Sequence, residues 1–307
     1  MPWTASDIPD LTGRAAIVTG ANSGIGYHTA LELARHGARV TLAVRDPGRG
    51  ADALARLLSE VPTADVELGA LDLADQASVR AFAETYRGDG VDLLVNNAGI
   101  MAVPLRRTAE GWESQFATNH LGHFALTGLL LPRLLARPGA RVVTVTSGVH
   151  RAGRMDFADP HAQHRKYGKW AAYAQSKLAN LLFTVELRRR AQAAGADLCP
   201  VAAHPGYAAT NLQVAGPRMA GRRLVERGTA VVTRVLGQSD RDGALPSLRA
   251  ATDPAVRAGE VYGPDRFFEM RGHPHQVQVS ARARNEADAA RLWALSEQAT
   301  GVHYPLG

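Results

Sequence analysis

Tyr173 and Lys177 stand four residues apart in Tyr173-Ala174-Gln175-Ser176-Lys177, within a stretch whose pattern predicts a helix from Ala172 to about Ala193. That spacing puts both side chains on one helix face. A free phenol has a pKa of about 10, too high for efficient proton exchange near neutrality. A neighbouring ammonium favours the phenolate and lowers that value. Proton transfer works best when the pKa approaches working pH, so the pair points to acid–base chemistry. A hydroxyl able to steady charge on a substrate oxygen ends the apolar run Val143-Thr144-Val145-Thr146-Ser147-Gly148, where Ser147 and Thr146 compete for the role. Upstream lies Thr19-Gly20-Ala21-Asn22-Ser23-Gly24-Ile25-Gly26, between an apolar run and an amphipathic stretch. Its glycines permit a tight turn and close backbone approach. The helix that follows offers free N–H groups and a positive dipole end to a pyrophosphate.

The elements that must position these groups alternate regularly. Strands are predicted at Ala15–Val18, Val40–Val44, Val66–Leu68, Leu93–Val95, Arg141–Val145 and Asp197–Ala202. Helices are predicted between them, including one long helix from about Trp112 to Leu135. Continuous apolar strands alternating with helices predict an α/β fold: a three-layer, Rossmann-type, doubly wound parallel sheet. The 307 residues show no repeat and no low-complexity linker, so one domain over 1–307 is expected. Val261-Tyr262 reads as a last strand and Glu286–Ala299 as a closing helix.

Composition removes other classes. The net charge of +6 is spread along the chain, and Arg188-Arg189-Arg190 reads as a solvated helix end, so nucleic acid is not the expected partner. The single cysteine, Cys199, allows no disulfide framework and reads as an inert strand thiol. No secretory segment opens the chain. The most apolar stretch, Phe124–Leu135, is short and broken by Gly128, Pro132 and Arg133, so stable membrane insertion is not expected. A cytoplasmic protein acting on a small molecule fits these features. His161-x-x-His164 and His273-Pro274-His275 lack supporting ligands and read as surface histidines, so no metal is expected.

The Gly-x-x-x-Gly-x-Gly spacing behind Thr19, together with Asn96-Asn97-Ala98-Gly99 and the Tyr-x-x-x-Lys pair, resembles the short-chain dehydrogenase/reductases from about Gly13 to Gly206. The resemblance selects Ser147 over Thr146 and implies a catalytic set of Asn119, Ser147, Tyr173 and Lys177. Tyr173 would be the acid in reduction and the base in oxidation. Lys177 would lower its pKa and bind the nicotinamide ribose, and Asn119 would help hold a water linking Lys177 to solvent. The resemblance further implies a cofactor site from Gly20, Asn22, Ser23, Gly24, Ile25, Gly26, Asp72, Leu73, Asn97, Ala98 and Gly99. Pro205 and Gly206 would pack beside the nicotinamide, with Thr210 reaching its carboxamide.

For the choice of cofactor, the position where NAD-preferring members carry an acid holds Val44, followed by Arg45. A guanidinium can fork onto a 2′-phosphate, which favours NADP. Asp46 either serves a ribose 2′-hydroxyl, which leaves NAD open, or caps the next helix ahead of Pro47. About 25 residues separate Ser147 from Tyr173, more than in the shortest members. This insert, with Asn119-His120-Leu121-Gly122-His123-Phe124, is similar to the retinol-dehydrogenase-like branch, which also holds light-dependent protochlorophyllide reductases. That branch implies lipophilic substrates, by analogy alone. Reduction of a C=C bond needs the same Tyr–Lys pair and stays open beside carbonyl chemistry. A silent cofactor-binding sensor is the remaining alternative. Residues 207–240 are expected to form a substrate-binding lid. A homodimer or homotetramer is implied by the family, with the Trp112–Leu135 and Ala172–Ala193 helices as the expected interface.

Overall fold

The computed structural model describes residues 2–206 and 238–306. Eight strands form one sheet in the order β3-β2-β1-β4-β5-β6-β7-β8. They are β1 (Ala15–Thr19), β2 (Arg39–Val44), β3 (Val66–Ala70), β4 (Leu93–Asn96), β5 (Ala140–Val145), β6 (Leu198–Ala203), β7 (Val261–Arg266) and β8 (Arg271–Gln276). All neighbours pair in parallel except β7 and β8, which form an antiparallel edge hairpin. The first three strands step outward one way, and β4 then pairs with the other side of β1. A crevice opens at such a reversal, outside the carboxyl ends of β1 and β4.

β1, β4 and most of β2, β5 and β6 are buried, which is why their sequences run apolar without alternation. Helices α1 (Gly24–Arg35) and α2 (Pro47–Glu60) pack on one face. Helix α3 (Gln76–Thr85) lies on the other. The expected long helix over Trp112–Leu135 is instead three pieces. A short α4 (Ser114–Phe116) is followed by a π-helical turn (Ala117–Leu121) and then α5 (Gly122–Leu135). The Gly122 amide donates to Ala117 O, an i+5 bond that marks the widened turn. Helix α6 (Lys169–Ala193) carries Tyr173 and Lys177 and begins three residues before the expected start.

Two further elements escape sequence patterning. Helix α7 (Asp240–Thr252) packs on the face of α1, with Gly243 and Pro246 disguising its period. Its Ser239 cap, accepting from the Asp242 amide, was the readable signal. β8 contains His273-Pro274-His275, which shows no strand alternation. Finally α8 (Glu286–Thr300) lies against α6, and residues 302–306 cross α5. Trp293 of α8 stacks on Phe183 of α6 at 5.9 Å and meets Phe124 of α5 at 5.1 Å. The Tyr304 hydroxyl donates to Phe124 O at 2.6 Å. The chain's own C-terminal segment thus covers part of α5 and α6. Among the described residues no helix is long and apolar enough to cross a membrane.

Candidate active site

The phosphate loop is built by backbone freedom. Gly20 and Gly24 hold left-handed φ values of 67° and 58°. A Cβ at Gly26 would lie 2.4 Å from Asn97 Nδ2 and 2.5 Å from Gly20 O, so only glycine lets α1 start this close to the loop. Ser23 sits at the N-cap without a side-chain cap bond, which leaves the first amides of α1 open to a ligand. Asn22, Ser23 and Gly24 are partly exposed, and Ile25 is buried.

Thr19 ties this loop to the β4 turn. Its Oγ1 accepts from the Asn97 and Ala98 amides, both at 2.9 Å. The Asn97 side chain donates back to Thr19 O at 2.8 Å. His123 completes the set, with Nε2 at 2.9 Å from Thr19 Oγ1 and Nδ1 at 3.0 Å from Asn119 O. A carbonyl only accepts, so Nδ1 carries the proton and the Thr19 hydroxyl donates to Nε2. Nothing in one sequence says that a buried imidazole joins two separate turns.

Around the β2 end, Val44 is buried and Arg45 exposed. Asp46 accepts from the Arg49 amide at 3.1 Å, so it caps α2, the blander of its two readings. Asp75 caps α3 in the same way. Asp72 spends one oxygen on the Ala74 amide, leaving Oδ2 as a remaining acceptor in a half-buried setting. Leu73 is buried, and its carbonyl leaves no room for a side chain at Gly122.

The chemical residues converge at the carboxyl ends of β4, β5 and β6. Thr146 Oγ1 donates to Lys177 O at 2.7 Å and is thereby occupied. Ser147 instead caps the short turn that follows β5, accepting from the Val149 amide. Tyr173 is 7% exposed and packs edge-on against Trp170 at 6.2 Å. Burial pushes its phenol up to about 12, with the Ser147 hydrogen bond opposing. Lys177 Nζ donates to Val145 O at 3.0 Å and lies 5.9 Å from the Tyr173 ring centre. Burial pulls this amine down to about 8. Tyr173 is thus held above its ordinary value rather than below it, because burial outweighs the lowering expected from Lys177.

Asn119 lies on the π turn. Its side chain exchanges bonds with Ile100, 2.8 Å from the amide and 3.0 Å to the carbonyl, and donates to Ser176 Oγ at 2.9 Å. A Cβ at Gly99 would sit 3.1 Å from Asn119 Oδ1 and 3.6 Å from Lys177 Nζ, so Gly99 keeps the space between them open. Pro205 and Gly206 follow β6, with Gly206 at φ 64°. Thr210 and residues 207–237 of the expected lid lie outside the described residues. His161 is not a surface histidine: it is half-buried, stacks on Trp112 at 6.4 Å and accepts from the Glu113 amide. Among the described residues no group of three or more His, Cys, Asp or Glu could hold a metal.

A glycine cradle, an acid–base pair and a serine, set on one edge of a doubly wound sheet, match a known family model. Residues 14–219 match the model of the short chain dehydrogenases. The chain belongs to the short-chain dehydrogenase family. It is 40% identical over 304 residues to human retinol dehydrogenase 13, covering 96% of this chain and 87% of that one. A probable oxidoreductase of Streptomyces lividans is 41% identical, covering 92% and 96%. A crystal structure of a putative uncharacterized protein from Mycobacterium Paratuberculosis superposes with a TM-score of 0.82 at 45% identity, over 99% of this chain and 100% of that one. This short-chain dehydrogenase is accordingly an oxidoreductase of a family that uses nicotinamide dinucleotides.

Proposed function

We propose that this short-chain dehydrogenase is NADP-dependent and moves a hydride between the nicotinamide and a carbonyl or alcohol carbon of a lipophilic small molecule. The observation that carries the reading is the convergence of Tyr173, Lys177 and Ser147 after β5, with Lys177 Nζ 5.9 Å from the Tyr173 ring centre, beside the opening kept by Gly99. The chain's residues fit the dinucleotide: Gly26 fills a cradle that a Cβ would block, and the α1 amides are uncapped. Gly20, Asn22, Ser23, Gly24, Ile25 and Gly26 would hold the pyrophosphate. Arg45 would take the 2′-phosphate, Asp72 and Leu73 the adenine, and Asn97, Ala98 and Gly99 the adjoining ribose. Tyr173 and Lys177 would hold the nicotinamide ribose, and Pro205, Gly206 and Thr210 the nicotinamide. The capping role of Asp46 supports NADP over NAD, because its carboxylate is engaged with α2 rather than offered to a 2′-hydroxyl.

When bound, the dinucleotide supplies or accepts the hydride. Ser147 orients the substrate oxygen by donating to it. Tyr173 gives its phenolic proton to that oxygen in reduction and takes it back in oxidation. The Lys177 ammonium favours the phenolate formed in that exchange. Asn119 keeps the Ile100 turn and Ser176 in register with the pair. We read residues about 13–206 as the cofactor and catalytic core and 207–240 as the substrate-binding segment. Relatives named retinol dehydrogenases support a lipophilic alcohol or aldehyde as substrate.

Titration of the purified protein with NADPH and NADH by tryptophan quenching, followed by an absorbance screen against aliphatic and aromatic aldehydes and ketones, tests this. Tighter NADPH binding with turnover of a carbonyl is expected. Failure to bind either cofactor overturns the reading. Binding without turnover across the panel moves it to C=C reduction or to a cofactor-binding sensor.

A further inference from the structure

The turn between β7 and β8 is strained. Phe267, Phe268 and Glu269 hold φ values of 51°, 56° and 64° in succession, a left-handed run that non-glycine residues rarely adopt. At its end the Glu269 carboxylate meets two partners from the active-site edge. Oε2 lies 3.1 Å from Nε2 of His204, a residue only 1% exposed at the end of β6. Arg151, in the short helical turn that Ser147 caps, donates to the same carboxylate at 3.0 and 3.3 Å. The other nitrogen of His204, Nδ1, lies 3.3 Å from the Gly206 amide.

Hydrogen-bond chemistry permits only one assignment of the imidazole proton. A carboxylate only accepts, so Nε2 must carry the hydrogen. A backbone amide only donates, so Nδ1 must be the lone pair. Both contacts demand the same neutral tautomer, and no other protonation state satisfies both. We propose that Glu269 is a positioning residue: by accepting from Nε2–H it anchors the His204 imidazole, whose Nδ1 holds the Gly206 amide, and thereby fastens the Pro205-Gly206 turn. The assignment rests on the reading that this turn flanks the nicotinamide.

Three observations support the arrangement. A Cβ at Gly263 would fall 2.1 Å from His204 Nε2, so β7 leaves a glycine-sized space for the imidazole. The hydrogen bond from His204, aided by Arg151, holds the Glu269 carboxyl down at about 2, so it stays an acceptor over the working range. The same hairpin grips the turn elsewhere. Gln238 donates to Pro205 O at 2.6 Å and accepts from the Gly272 amide at 3.2 Å. An acceptor that fixes a histidine's tautomer is a known way to set the group on its far side.

Two variants separate tautomer control from loss of a charge. In Glu269→Gln the amide oxygen still accepts from Nε2–H. In Glu269→Ala nothing does. Imidazole nitrogen shifts in the cofactor-free protein, assigned against His204→Asn, are expected to report the Nε2–H form in wild type and Glu269→Gln. In Glu269→Ala the Nε2–H loses its acceptor, so the Nε2 shift and the Gly206 amide resonance are expected to move. NADPH affinity in Glu269→Ala should stay within about threefold of wild type, while turnover of whichever carbonyl scores in the screen falls about tenfold or more. Glu269→Gln should stay within about threefold on both counts. If no carbonyl turns over, emission of the bound reduced nicotinamide replaces turnover as the readout. Unmoved Nε2 and Gly206 amide resonances in Glu269→Ala overturn the proposal, as does an equal loss in both variants. A wild type that binds neither cofactor defeats the functional reading instead, and the nitrogen shifts still decide this one.

Discussion

At Tyr173 two influences oppose each other, and their balance describes the resting enzyme. Burial pushes the phenol up to about 12, and the Ser147 hydroxyl pulls against it. Near neutrality Tyr173 is therefore protonated, which suits an acid in the reducing direction. Tyr173→Phe removes that proton while keeping the ring against Trp170. Turnover is expected to fall by about 10²–10⁴, the usual contribution of a positioned acid or base, with NADPH affinity retained. Steady-state rates beside a binding titration check this, and retained turnover removes Tyr173 from the role. Arg45 is the other residue-scale test. It is exposed just past buried Val44, while Asp46 is engaged as a cap. Arg45→Asp should weaken NADPH relative to NADH by about 1.5–3 kcal/mol, the range for a hydrogen bond to a charged group. An unchanged ratio of the two dissociation constants would mean another group reads the ribose.

At the scale of the element, the π turn decides what the residues after β4 can do. Its extra residue widens the helix, and the imidazole of His123 takes up Asn119 O while reaching Thr19. His120, one turn earlier, is bonded to Ser296 of α8 at 2.9 Å. Burial takes His123 down to about 4 and His120 down to about 3. Both therefore stay neutral in the folded chain while they protonate in the unfolded one below about 6.5. The unfolded state then binds more protons, so stability is full above about pH 6.5 and falls as pH drops toward the folded values. Each histidine should contribute a loss of up to about 1.4 kcal/mol per pH unit in that window. Urea midpoints taken from about pH 7.5 to about pH 5 measure the slope, and His123→Asn should flatten it by about one proton. A slope unaltered by that substitution would show that His123 does not titrate in this way.

Over the whole molecule, the C-terminal segment closes the core over α5 and α6. α8 and the tail lie on α5 and α6, and Trp293 is 1% exposed among Phe124, Phe183 and Tyr304. Trp293→Ala should cost about 3–5 kcal/mol, the range for removing a large buried aromatic. Chemical denaturation gives the figure. Sedimentation of the same variant should show new self-association as the α5 and α6 faces loosen. A loss below about 1 kcal/mol would mean that the segment packs only loosely.

The sequence by itself determined the groups that local chemistry selects. The glycine loop, the Tyr173–Lys177 pair, Ser147 at a strand end and the first six strands are each legible because spacing and period act over a few residues. The Asp46 cap was legible for the same reason. Only the tertiary structure decided the rest. β8 is a strand because β7 lies beside it, not because His273-Pro274-His275 alternates. The π turn exists in a stretch whose pattern reads as plain helix. The Tyr173 pKa lies above rather than below its ordinary value because desolvation depends on what surrounds the phenol. His123 and Glu269 act through partners far along the chain, and α5 and α6 are covered by residues near the C-terminus. Burial, proton assignment and coverage are properties of neighbours in space, and one sequence does not carry its long-range neighbours on its face.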